Sequence, residues 1–166
     1  MARDDEAFTR FATQRARSLY GRAFLLTSDH HLAEDLVQDT LAKLYLNWSS
    51  VDRAGNPGAY ARTTLTHLFI DKMRRKSSTE RPTDALPESH GPGEVDTVVD
   101  RVTVERLLDQ LNPTQRVVIV ARYLDDLSIA DTASLLGKTE AWVRQATHRA
   151  ITALRRPELL VELGEH

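Results

Sequence analysis

Cysteine is absent from this chain of 166 residues, which excludes disulfide frameworks and thiolate metal sites. Its six histidines do not form a spaced ligand set, so neither a metal nor any other cofactor is expected. No apolar run approaches the roughly 20 residues of a membrane span. The opening MARDDEAFTR has no apolar signal core, and a soluble cytoplasmic protein is the expectation. Alternating period-two runs are also missing, which argues against strands. No nucleophile and base pair off, and no glycine-rich loop could cradle a phosphate, so no catalytic residue is assigned. A formal net charge of -2 argues against indiscriminate coating of nucleic acid, although a whole-chain sum conceals opposed local charges.

What is present is helical periodicity in two blocks. Phe8, Phe11, Ala12, Leu19, Tyr20, Ala23 and Phe24 recur at three- and four-residue steps, interrupted only by Arg15. Ser28 and Asp29 offer a cap for a second helix with Leu32, Ala33, Leu36, Val37, Thr40, Leu41, Leu44 and Tyr45 on one side and an acidic outer face. Asn56 and Pro57 start a third, because proline in the first helical turn forfeits no hydrogen bond. After an interruption, Val104, Leu107, Leu108 and Leu111 predict a short helix, and Asn112, Pro113 and Gln115 mark the start of another carrying VVIVARYL.

Charge is distributed unevenly. Arg62 to Arg81 holds six Lys or Arg against Asp71 and Glu80, and Lys138 to Arg156 holds five against Glu140. Between them, Pro82 to Asp109 carries seven acids against Arg101 and Arg106, and three prolines with two glycines lie between Pro82 and Gly93. Such a segment cannot continue a helix and has too little apolar content to offset the entropy of ordering it. The expected fold is all-α: two small helical domains, 1–76 and 101–157, joined by a flexible linker over 77–100 and followed by an acidic tail, 158–166.

The last helical pair is the most specific pattern. LSIADTASLLGKTEAWVRQATHRAITALRR, from Leu127 to Arg156, has a small residue at Ala133, a turn glycine at Gly137 and a branched apolar residue at Val143, as a helix-turn-helix requires. Ser128 and Thr139 stand where caps are needed. A buried stripe of Val143, Thr147, Ala150, Ile151 and Leu154 leaves Arg144, Gln145, His148, Arg149, Thr152 and Arg155 outward, side chains suited to base edges and phosphates.

The order of these parts resembles the sigma-70 family of bacterial RNA polymerase initiation factors, in its compact extracytoplasmic-function (ECF) group. HLAEDLVQDTLAKLYLNW is similar to the family's polymerase-binding helix, GNPGAYARTTLTHLFIDKMRRK to its basic promoter helix, and LNPTQRVVIVARYLDDLSIADTASLLGKTEAWVRQATHRAITALR to its C-terminal domain. The resemblance implies core RNA polymerase and promoter DNA as partners and an anti-sigma factor as a candidate third. It places Glu34, Asp35, Leu36, Gln38, Asp39 and Leu41 against polymerase. Recognition of the -10 element falls to the loop Ser49 to Asn56 and the third helix, through Trp48, Asn56, Tyr60, Arg62, His67, Lys72, Arg74, Arg75 and Lys76.

Trp48 and Tyr60 read equally as core aromatics, and His67 stands where the family usually has asparagine. The -35 element falls to Arg144, Gln145, His148 and Arg149 in the major groove, with Lys138, Thr139 and Arg155 on phosphates. Trp142 replaces the family's usual threonine, and widening the helix start, touching phosphate or packing inward all remain open for it. A repressor or activator binding DNA without polymerase is the alternative to this reading.

Overall fold

The computed structural model describes residues 2–79 and 106–155. The chain divides into two compact units, residues 1–87 and 88–166, and every regular element among the described residues is helical. The expected linker from residue 80 onward, the acidic tail and Val104 lie outside the described residues.

In the first unit α1 (Ala2–Thr27) packs on α2 (His30–Leu46) and α4 (Pro57–Thr79), and the short α3 (Trp48–Arg53) touches all three. The α1 apolar stripe works as its spacing predicts: Phe11, Leu19, Ala23 and Phe24 are buried, while Arg15 is exposed. Leu26, Leu36, Leu44 and Leu65 are at most 1% exposed and form the centre of the core. Each such burial is worth about 1.5–3 kcal/mol relative to exposure. Asp29 opens α2, its carboxylate accepting from the Leu32 amide at 3.0 Å, and Asn56 opens α4 by accepting from the Ala59 amide at 3.1 Å. Two expectations need correction. The segment from Ser49 to Asn56 is largely the helix α3, with a left turn at Gly55 (φ 88°) returning the chain to α4. And α4 continues through Thr79, past Ser77, the expected start of the linker, because no proline or glycine interrupts RKSST.

In the second unit residues 106–109 form a helical turn, followed by α5 (Pro113–Ile119), α6 (Ile129–Leu136) and α7 (Glu140–Leu154). A full capping box starts α5: Asn112 accepts from the Gln115 amide at 2.8 Å, and Gln115 returns the bond to the Asn112 amide at 3.0 Å. Helix α5 then widens into a π-helical turn, Val120–Leu124. Val117, Val118, Val120 and Ala121 are buried, which makes this segment the central element that its apolar run predicts. The run ends before Tyr123 and Leu124, which are exposed.

Arg116 is the polar exception in this core. Its Nε–H donates to the Leu108 carbonyl at 3.0 Å, tying the turn at 106–109 to α5. Burial lowers its pKa from the usual arginine value, opposed by the charge of Asp109. Desolvation is thus the larger influence on the guanidinium.

Candidate nucleic-acid interface

The turn between α6 and α7 is closed by local chemistry on both sides. Ser128 Oγ accepts from the Asp131 amide at 2.9 Å to start α6. Gly137 ends it in the left-handed region (φ 65°, ψ 37°), where the Lys138 amide reaches back to the Ala133 carbonyl at 2.9 Å. Thr139 Oγ1 then accepts from the Trp142 amide at 3.1 Å and starts α7. Ala133, Leu136, Val143 and Ala150 are buried between the helices, with Val143 fully enclosed. Thr147, Ile151 and Leu154 are only half-buried, so the stripe loses cover towards the helix end.

This packing leaves Arg144, Gln145, His148, Arg149 and Arg155 exposed along α7, with Lys138 and Thr139 exposed at the turn. Helical spacing divides them into two flanks: Arg144, His148 and Arg155 on one, Gln145 and Arg149 with Trp142 on the other. Trp142 is half-buried, and Lys138 Nζ lies 5.4 Å from the centre of its ring, a cation–π contact. The one acid of the segment, Glu140, sits in the first turn, where the helix dipole favours it.

The first unit presents two further surfaces. On α2, Glu34, Asp35, Gln38 and Asp39 are exposed, and Leu41 is half-buried. Leu36 is not part of that surface: it is 1% exposed and belongs to the core, because its position faces α1 and α4. The exposed leucine of the acidic face is instead Leu32, 51% accessible. It shares a stripe with Asp35 and Asp39 at three- and seven-residue spacing.

Along α4, Tyr60, His67 and Arg74 recur every seven residues and form one exposed stripe. Arg62, Arg75 and Lys76 are exposed beyond it, and the Lys72 side chain reaches Asp39 of α2 at 2.8 Å. Asn56 has its side-chain oxygen committed to the α4 cap. Trp48 is withdrawn altogether. It is 5% exposed, and its ring meets Phe8 edge-on at 5.5 Å between centroids and Phe11 at 5.3 Å. A buried indole in an aromatic cluster cannot serve as a platform for a base.

A capped helix-turn-helix with a basic outer helix, in one of two units whose described elements are all helical, is the arrangement of a DNA-binding protein. Comparison with known proteins narrows this. Residues 11–79 match the family model of Sigma-70 region 2 and residues 101–154 that of Sigma-70 region 4. The RNA polymerase sigma-E factor of Streptomyces coelicolor is 31% identical over 148 residues, 89% of this chain and 84% of that protein. The ECF RNA polymerase sigma factor SigL of Mycobacterium tuberculosis is 33% identical over 156 residues, covering 91% and 87%. Among solved structures, the sigma factor RpoE of Bartonella quintana, in complex with the anti-sigma factor NepR, aligns with a TM-score of 0.58 at 26% identity over 93% of this chain and 97% of that one. The chain belongs to the ECF group of the sigma-70 family of RNA polymerase sigma factors.

Proposed function

We propose that this chain directs core RNA polymerase to specific promoters by splitting recognition between its two units. The acidic face of α2, built from Leu32, Glu34, Asp35, Gln38 and Asp39, meets polymerase through charge and desolvated apolar area. Tyr60, Arg62, His67, Lys72, Arg74, Arg75 and Lys76 of α4, with the α3–α4 turn and Asn56, contact the -10 element. A separated strand is tracked by cations and aromatic rings. Helix α7 enters the major groove at the -35 element with Arg144, Gln145, His148 and Arg149, while Lys138, Thr139 and Arg155 hold phosphates. The action is non-enzymatic and cytoplasmic, and it needs no cofactor.

The observation that carries this reading is the joint presence of a capped basic recognition helix in one unit and an acidic, leucine-bearing helix beside a basic one in the other. Each unit alone offers too little contact to choose a site. Linkage by polymerase makes the second binding event intramolecular. Because its structural relative RpoE is held by an anti-sigma factor, an anti-sigma protein is included as a regulatory partner of this chain. Reconstitution with core polymerase tests the proposal: the chain should join core and confer promoter-specific transcription, and failure to associate with core would overturn it.

A further inference from the structure

Arg15, the one polar interruption of the α1 apolar stripe, lies across the start of α4. A methyl group built on Gly58, the second residue of that helix, would stand 3.4 Å from Arg15 Cζ, 3.5 Å from Arg15 Nη2 and 3.6 Å from Arg62 Nη1. Two guanidinium groups from different helices therefore converge over one glycine. Arg62 reaches that point because side chains on a helix lean back towards the preceding turn. Arg15 reaches it because Gly58 puts no side chain in the way. Gly58 is buried, whereas both arginines are exposed.

Like charges brought together repel, and no described neighbour relieves them. Neither Arg15 nor Arg62 has a hydrogen bond or an ion pair with any described residue. Asp52 of α3, the acid nearest to Gly58 in sequence, is exposed and pairs with neither. The helix adds to the imbalance: α4 is 23 residues long, has no acid in its first turn, and meets the pair with its positive end, where a cation is disfavoured.

Such a site is matched to an anion and mismatched to a metal ion or a basic peptide. A carboxylate, with two oxygens, is satisfied by a single guanidinium fork, whereas a phosphate group has oxygens for two forks at once. We propose that Arg15 and Arg62 form a clamp for one phosphate group, seated over Gly58 at the start of α4. Two sources share that chemistry, a phosphodiester of a nucleic-acid strand and a free phosphate compound, and the two arms of the test tell them apart. The promoter contacts proposed above use Arg62 and give Arg15 no part. The clamp adds α1, otherwise a packing helix, to the ligand-binding surface.

The first arm uses the free chain and does not depend on the sigma-factor reading. Inorganic phosphate and pyrophosphate are exchanged for chloride at constant ionic strength while the arginine Nε–H and Gly58 amide NMR signals are followed. Arg15, Arg62 and Gly58 should shift together and saturate. Arg15→Gln should weaken the apparent affinity about three- to tenfold. Arg15→Lys, which keeps the charge but not the fork, should fall between the two. Arg17→Gln removes the same charge elsewhere on α1 and should match wild type.

The second arm uses holoenzyme reconstituted from the chain and core polymerase, which first recovers a promoter from a pool of randomised duplexes. That promoter is then scanned with single methylphosphonates replacing backbone phosphates one at a time. Sensitivity at one phosphate that Arg15→Gln loses, with the others kept, assigns the clamp to the strand. Saturation in the first arm with no such position in the second assigns it to a free phosphate compound. Unchanged thermal unfolding shows that the variants fold.

No saturable shift and no lost phosphate would overturn the clamp while leaving the sigma-factor reading intact. Equal shifts with acetate, or an equal loss in Arg17→Gln, would overturn it as well, since either reduces the effect to general positive charge. A chain that fails to join core overturns the sigma-factor reading alone, and the first arm then decides the clamp by itself.

Discussion

Lys72 Nζ of α4 stands 2.8 Å from Asp39 Oδ2 of α2, joining the helix proposed to meet promoter DNA to the helix proposed to meet polymerase. Both side chains are well exposed, at 40% and 56%, so solvent screens the pair strongly. A double-mutant cycle with Asp39→Asn and Lys72→Met, read by thermal unfolding of the free protein, should give a coupling of only about 0.2–1 kcal/mol. It should decline as salt is raised. A coupling well above that range, or one indifferent to salt, would contradict the description of a loose surface pair that either partner can release on binding.

The Tyr45 hydroxyl donates to Asp5 Oδ1 at 2.9 Å, which fastens the start of α1 to α2. This hydrogen bond, then the Asp5 charge, then burial raise the tyrosine pKa above its ordinary value. Because the folded pKa is the higher one, the bond is complete below the ordinary tyrosine range and is lost as pH rises through the folded value. The difference between the ultraviolet titrations of wild type and Tyr45→Phe should therefore assign to Tyr45 an ionisation above the ordinary tyrosine value. Asp5→Asn should lower it, and an unchanged curve for Asp5→Asn would rule the contact out.

Asp126 holds a left-handed backbone conformation (φ 52°) at the turn before α6, a region that costs most side chains energy. Asp126→Gly should leave the second unit equally stable or raise stability by up to about 1 kcal/mol, the glycine's freedom in the unfolded chain offsetting part of the gain. Asp126→Val should destabilise it, since a branched side chain fits that region worst. Chemical denaturation of the two variants checks the order, and the reverse order would refute the turn geometry.

How far such features are legible in sequence depends on how local they are. Asp29, Asn56, Ser128, Thr139 and the Asn112–Gln115 box can be found from spacing alone, because a cap is satisfied within three residues. Gly137 is legible for the same reason. The α2 contact face is harder. Both Leu32 and Leu36 fit an apolar stripe, and only packing against α1 and α4 decides that Leu36 is enclosed while Leu32 is outside. Trp48 is decided by Phe8 and Phe11, far away in the chain, and the Asp39–Lys72 pair likewise joins separate helices. The helix α3 was hidden because WSSVDR is short and polar, and it is held by Trp48 and Val51 packing inward.

On the proposed -35 surface, Arg144 is exposed on the flank of α7 that it shares with His148 and Arg155. Arg144→Ala should cost about 1–3 kcal/mol at one base position if the guanidinium makes a bidentate contact with guanine. The signature is a loss of discrimination at that position in a panel of single-base promoter variants bound by holoenzyme. An equal loss for every sequence would reassign Arg144 to phosphate, and no loss would remove it from the interface.

The central claim is that the two units choose a promoter only when polymerase holds them in register. Its most direct measurement is promoter binding by the purified chain with and without core RNA polymerase at physiological salt. Alone, the chain should bind duplex promoter no more tightly than the non-specific range of roughly 10⁻⁴–10⁻⁶ M. With core it should bind in a sequence-selective way and start transcription at that site. Tight, selective binding by the free chain, unchanged when core is added, would contradict the account.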